Sequence, residues 1–438
     1  MGTSPGTRWT QKFDRRRMVR VVGAVALTGL TAGLLAACGG GSSGGSSGGG
    51  GSTTGRGPIT YVQGKDNNNL LPTIADNWNK AHPDEKVTIK QQTDQADQQH
   101  DDLVQHFQAK DSGYDVVSVD VVWTAEFAAK GWLTPLKGDL ALPTDNLLPA
   151  TVKTATYKDT LYAAPSSSDG GLLYYRKDLV STPPTTWSDM INDCKNRGAV
   201  ADCYVGQFAQ YEGLTCNATE AINGAGGHVL DSSGKPDVDT DAAKQGLDFL
   251  VNGFKQGYIP SNGLTFQEEQ SLNDFESGNA VFLRNWPYAV SLLSTDDKSQ
   301  VKDKFGIAPL PGLNGPGAST LGGHNLAIST YSQHKATALD FIKYMESEDT
   351  QKFLIEKGSL APVIASLYSD SSLTTNFPYL PVLLQSIEKA VPRPVTPFYP
   401  AVTKAIQSNV YSALKGDTDS ATALKNLQAA LQTATNGG

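Results

Sequence analysis

Four carboxylates are the first candidates for chemistry in this chain of 438 residues: Asp120, Asp169, Glu212 and Glu268. A pair of carboxylates held about 5 to 10 Å apart is what glycoside hydrolysis requires. Nothing in the local sequence assigns one of them as acid and another as nucleophile. Gly40-Gly41-Ser42-Ser43-Gly44 fits the G-x-S-x-G pattern of a hydrolase elbow, but it sits in a Gly/Ser run with neither a strand before it nor a helix after it, so it carries no chemistry. The histidines His82, His100, His106, His228, His324 and His334 show no HExxH spacing, and no C-x-x-C accompanies them.

The elements that must position such residues alternate in type. Ile59 to Val62 reads as a strand, and Leu70, Leu71, Ile74, Ala75 and Trp78 recur at helical spacing before Pro83. Val87 to Lys90 is a second strand, Leu103, Val104 and Phe107 mark a second helix, and Asp115 to Val119 is an apolar run typical of a strand buried on both faces. This β-α-β-α-β order predicts an α/β lobe with a largely parallel sheet, whose ligands sit outside the carboxyl ends of the strands. Asp120 lies at such an end, where capping a following helix is its other use. Further strands are expected at 172–176, 281–283 and 325–329, and helices at 242–254, 336–346, 380–390 and 401–414. The length exceeds the roughly 250 to 300 residues of a single core, so two domains are expected.

The start of the chain reads as an address. Arg15, Arg16, Arg17 and Arg20 precede an uncharged run from Val21 to Ala37, the n- and h-regions of an export signal, with a loose likeness to a twin-arginine signal. The run ends Leu35-Ala36-Ala37-Cys38, which resembles a bacterial lipobox and implies cleavage before Cys38 and lipidation of it. Residues 39–57 hold 11 Gly and 5 Ser and should act as a tether. Removing residues 1–37 takes six of 36 basic and one of 44 acidic residues, leaving 30 against 43. An acidic chain without a basic cluster excludes nucleic acid as a partner. In an exported chain, Cys194 and Cys203, with eight residues and Gly198 between them, are expected to form a disulfide, leaving Cys216 unpaired; zinc is the rival arrangement.

Six stretches carry a resemblance: DVVSVDVVWTAEFAAKGWL (115–133), LYAAP with LLYYRKDLV (161–180), RNWPY (284–288), GGHNLAI (322–328), ASLYSD (365–370) and RPVTPFYP (393–400). In order and spacing they resemble the extracellular solute-binding proteins, family 1, of ATP-binding cassette sugar importers, most closely the trehalose-binding lipoproteins among them. The resemblance implies a type II periplasmic-binding-protein-like α/β fold: two lobes, a hinge, and the ligand in the cleft between. Carried onto this chain, it places 58–165 plus 324–360 in the first lobe and 166–323 plus 361–438 in the second, with crossings near Pro165, Gly323 and Ala361.

The implied function is that of a non-enzymatic receptor, monomeric and without a cofactor. It would be held at the outer membrane face by its lipid and would hand a disaccharide, trehalose or a similar α-glucoside, to the permease. A disaccharide needs hydroxyl partners and a flat apolar surface. By resemblance, Asp120 binds hydroxyls, Trp286 stacks on the sugar with Asn285 beside it, Arg393 supplies a donor fork, and Gly322 and Gly323 let the backbone approach. Asn67, Gln99, Asp169, Glu212 and Glu268 are further candidates, and Tyr174, Tyr288 and Tyr399 could widen the aromatic surface. Asp169 and His324 depart from the trehalose-binding pattern. Loss of Trp286 or Arg393 is expected to weaken binding while sparing the fold.

Overall fold

The computed structural model describes residues 52–435. The export signal, Cys38 and most of the tether lie outside the described residues. Along the chain come β1 (Ile59–Gln63), α1 (Leu71–Ala81), β2 (Val87–Gln91), α2 (Ala96–Gln108), β3 (Val116–Asp120), α3 (Thr124–Ala129) and α4 (Pro149–Thr154). A two-residue hairpin pair, β4 (Thr156–Tyr157) and β5 (Thr160–Leu161), leads to β6 (Ala163–Gly170) and β7 (Leu172–Arg176). Then follow α5 (Trp187–Lys195), β8 (Asp202–Val205), α6 (Glu212–Gly224), α7 (Asp241–Gln256), α8 (Glu268–Glu276), β9 (Ala280–Asn285), α9 (Ala289–Thr295), β10 (Phe305–Ala308) and β11 (Thr320–Ile328). The chain closes with α10 (Lys335–Met345), α11 (Glu348–Gly358), α12 (Ser371–Asn376), α13 (Leu380–Glu388), β12 (Val391–Pro392), α14 (Tyr399–Leu414) and α15 (Ser420–Thr435).

Two sheets organise these elements. The first runs β12-β11-β3-β1-β2, with β6 also paired to β11. Its β2-β1-β3 part is parallel, as the alternation predicts, while β11 runs antiparallel to β3 and β6. The second sheet is β10-β7-β9-β8. β6 enters β7 through the single residue Gly171, so one continuous stretch of chain links the sheets.

The central strands β3, β7 and β9 are buried on both faces, which is why they read as apolar runs. In β3, Val116 packs with Trp78, Ile74 and Phe341 on one side, while Val117 and Val119 pack with Phe107, Phe127 and Trp132 on the other. In β7, Leu172 and Tyr174 join one core and Leu173 the other, where α6, α7, α14 and α15 gather. Removing such a fully buried side chain costs about 2 to 5 kcal/mol. Local signals fix the helix ends: Thr186 and Asp189 form a reciprocal capping box on α5, Thr240 caps α7, and Gly257 ends α7 at φ 73°.

One expected strand lengthens, one strand is unforeseen and one expected cap is absent. The last strand of the first sheet is β11, five residues longer at its start than expected, because it also pairs β6 and β12. β6 contains Pro165 and three serines and forms only against β11. α3 begins after Trp123 with no side-chain cap, so Asp120 is not its cap. Its carboxylate is engaged elsewhere.

Candidate functional site

A cavity of about 290 Å³ lies where the carboxyl ends of β1 and β3 face α6, α8 and the end of β9. The chain brings ten of the eleven residues expected at a ligand site to its walls: Asn67, Gln99, Asp120, Asp169, Glu212, Glu268, Trp286, Gly322, Gly323 and Arg393. Asn285 stands behind the wall instead. Its side chain is spent internally, accepting from Trp286 N at 2.8 Å and donating to Glu268 O at 3.2 Å, so it shapes the turn that presents Trp286.

Arg393 follows β12 between two prolines, which remove the helical option and aim the side chain inward. Its Nη2 donates to Asp120 Oδ1 at 2.7 Å, and its Nη1 to Asp120 Oδ2 at 3.3 Å and to Glu212 Oε1 at 2.5 Å. Glu212 also accepts from the Tyr399 hydroxyl and, at 2.6 Å, from Thr403 Oγ1. One guanidinium thus joins a carboxylate of the first sheet to one at the head of α6. Burial raises the pKa of Glu212, with Arg393 opposing. Arg393 Nε is buried and has no hydrogen-bond partner, which leaves a donor at the cavity wall.

Trp286 is half-buried, with its carbonyl accepting from Tyr174 OH at 2.7 Å. A Cβ at Gly322 would come 2.9 Å from indole Cζ3, so glycine is needed where β11 passes the ring. Gly323 has φ 113°, and a Cβ there would meet Ser167 O at 2.2 Å. At the other rim, Asn67 Nδ2 donates to Glu269 Oε1 at 3.0 Å, and Tyr288 OH to the same oxygen at 2.9 Å. Glu269, missed in the sequence, is the partner beside the expected Glu268, whose own carboxylate accepts from Tyr211 OH at 2.6 Å and whose pKa burial raises.

Gln99 donates to Thr93 O at 2.8 Å at the edge of the cavity. Asp169, on β6, is pushed up to about 7 by burial and by the charge of Asp120, with Arg284 opposing. His324 pairs with Asp120 in register, and burial lowers its pKa. Of the tyrosines, Tyr288 lines the cavity, whereas Tyr174 and Tyr399 hold other site residues through their hydroxyls. The set offers carboxylates, amides, a guanidinium and one large flat ring, which suits a neutral ligand rich in hydroxyls. Among the described residues no cluster of His, Cys, Asp and Glu is arranged to hold a metal ion. Cys194 and Cys203 form a disulfide with Cα atoms 5.4 Å apart, and Cys216 is free, buried and beside the cavity, where burial pushes its thiol up.

Two α/β lobes around a polar, aromatic-floored cavity define a protein that traps a small solute. The chain belongs to the bacterial extracellular solute-binding proteins, whose family model matches residues 63–352. It is 34% identical over 344 residues to a probable ABC transporter-binding protein of Deinococcus radiodurans, covering 75% of this chain and 81% of that one. It is 28% identical over 298 residues to the mannitol-binding protein of Pseudomonas aeruginosa, covering 64% of this chain and 67% of that one. Among solved structures, maltose-bound MalE3 of T. maritima superposes with a TM-score of 0.81 at 35% identity, covering 86% of this chain and 99% of that one. The architecture is that of the two-lobed maltose-binding type.

Proposed function

We propose that this protein is the receptor of an ATP-binding cassette importer for a small neutral carbohydrate, a disaccharide such as trehalose, maltose or a related α-glucoside. The lobes are taken as 58–165 plus 324–360 and 166–323 plus 361–438, hinged near Pro165, Gly323 and Ala361. The carrying observation is the cavity wall, where Trp286 offers an apolar ring among Asp120, Asp169 and Arg393. Its volume of about 290 Å³ is at the lower end of ligand sites, which favours one or two sugar rings over a long oligosaccharide. The maltose in MalE3 of T. maritima and the mannitol named for the Pseudomonas relative, both neutral polyols, support the same ligand class.

No chemistry is assigned to the site. Asp120 and Glu212 are tied to Arg393, and Glu268 to Tyr211, so these carboxylates are engaged in holding the walls. The lipobox-like Leu35 to Cys38 and the Gly/Ser tether favour an anchored receptor, kept near its permease while free to turn. Thermal-shift screening of the chain from Pro58 against trehalose, maltose, sucrose, cellobiose, glucose, mannitol and spermidine tests the reading, followed by calorimetry. Selective stabilisation by a disaccharide is expected, because a ligand that binds only the folded state raises its stability. Stabilisation by spermidine alone, or release of glucose from a disaccharide, would overturn it.

A further inference from the structure

Behind Trp286 stands a cation that the sequence patterns do not single out. Arg284, on β9, is fully buried. Its Nε and Nη2 donate to the two carboxylate oxygens of Glu220 at 2.8 and 2.5 Å, and its Nη1 to Gln207 Oε1 at 3.0 Å. Its guanidinium carbon lies 3.8 Å over the centroid of the Trp286 ring. At that distance nothing else fits against this face of the indole.

The surroundings are built around the pair. A Cβ at Gly171 would come 2.6 Å from Glu220 Oε1 and 2.9 Å from Arg284 Nη2, so the junction between the sheets is glycine where the pair must fit. Glu220 Oε1 also accepts from Thr320 N at 3.1 Å, at the head of β11, whose Gly322 lies against the six-membered ring of the same indole. One ion pair therefore registers α6, β9 and β11 to each other, and the ring is held where they meet. A buried pair is a poor device for stability alone, since apolar residues of equal volume do as well or better. Its position under the ring is what it accomplishes.

We propose that Arg284 is a positioning residue of the binding site: pinned by Glu220 and Gln207, it covers one face of Trp286 and fixes the indole so that the opposite face is the one presented to the ligand. That the ligand is a sugar rests on the carbohydrate reading above. The placement of the ring does not. A cation held against an indole face is attracted to it, most strongly when desolvated.

The test compares the soluble chain with Glu220→Gln/Arg284→Met, which removes both charges so that neither is left buried alone. Each is measured with and without Trp286→Phe, so that the difference isolates emission from Trp286. Without ligand, acrylamide quenching of that emission is expected to rise in the double variant as the covered face opens. Affinity for the best sugar from the screen is expected to fall at least about tenfold while the thermal transition stays cooperative. If the double variant does not fold, Arg284→Lys keeps the charge beside Glu220 but cannot cover the ring, and is expected to raise quenching in the same way. Unchanged quenching overturns the proposal, as does raised quenching with wild-type affinity. Should no sugar bind the wild-type chain, the carbohydrate reading fails, and quenching alone decides the position of Arg284.

Discussion

Arg393, directly after β12, and Asp120, at the end of β3, lie 273 residues apart in sequence and meet with Arg393 Nη2 2.7 Å from Asp120 Oδ1. Both are nearly excluded from water, and Glu212 completes the group from the other side at 2.5 Å. The relationship changes what removal of the arginine should do. An exposed ligand contact is lost cheaply, but deleting the cation here leaves two buried carboxylates facing each other.

Arg393→Ala is therefore expected to destabilise the ligand-free protein by about 3 to 5 kcal/mol, in contrast to the intact fold expected from sequence alone. Sugar binding should fall at least about tenfold as well. Adding Glu212→Gln should restore part of the stability but not the binding. Urea unfolding and calorimetry on the single and double variants check both statements, and a single variant as stable as wild type would refute the buried-triad account.

Trp286→Ala makes a contrasting case. The indole lines the cavity and is half-buried, so its loss removes the sugar-facing surface more than it empties a core. Affinity is expected to drop at least about tenfold, near 1.4 kcal/mol or more. The cooperative unfolding transition should persist. Calorimetry alongside a thermal melt separates the two effects.

Asp169 gives the protein a pH dependence whose sign is fixed. Its carboxyl is raised from 3.8 to about 7, first by burial and then by Asp120. A raised acid favours the folded state fully below its unfolded value, and that contribution is lost as pH rises through the folded value. Between about pH 4 and 7 the ligand-free wild type should thus lose stability relative to Asp169→Asn, whose side chain does not titrate. A difference of several degrees in thermal midpoint, growing with pH, is the expected reading, and parallel pH profiles would refute it.

Much of this fold was legible because burial on both faces writes itself into sequence. The run Asp115 to Val119 announces β3, and Leu71, Ile74 and Trp78 announce α1, since each residue type answers to a core on a known side. β6 was not legible. Ala163 to Gly170 holds Pro165 and three serines, and only the pairing with β11 makes it a strand, yet Asp169 depends on it. In α15, Leu424, Leu427 and Leu431 carry a helical spacing and face the core. At the site, residue types and resemblance singled out Asp120, Glu212 and Arg393 one by one. That they are one another's partners follows from contacts between segments 181 and 273 residues apart, which no local pattern contains. Arg284 and Trp286, two residues apart at the end of a strand, had the spacing of a shared face. Asn285, between them, points the other way and holds the turn.

The opposite rim carries the last expectation. Asn67, in the loop after β1, donates to Glu269 at the start of α8 at 3.0 Å, and both line the cavity. Tyr288 OH reaches the same carboxylate oxygen and keeps it in place, and Asn67 Oδ1 is buried without a partner. Unlike the Arg393 group, this bond lines the cavity without balancing a buried charge pair. Asn67→Ala is therefore expected to remove a hydrogen bond to a charged group, worth about 1.5 to 3 kcal/mol, from the arrangement that encloses the cavity, and with it part of the affinity for sugar. Because most affinity changes within one interface appear in dissociation, the loss should be read as faster sugar release at a nearly unchanged association rate. Stopped-flow measurement of Trp286 fluorescence on mixing with sugar distinguishes the two rates. An unchanged release rate would show that the Asn67 to Glu269 contact does not gate the cleft.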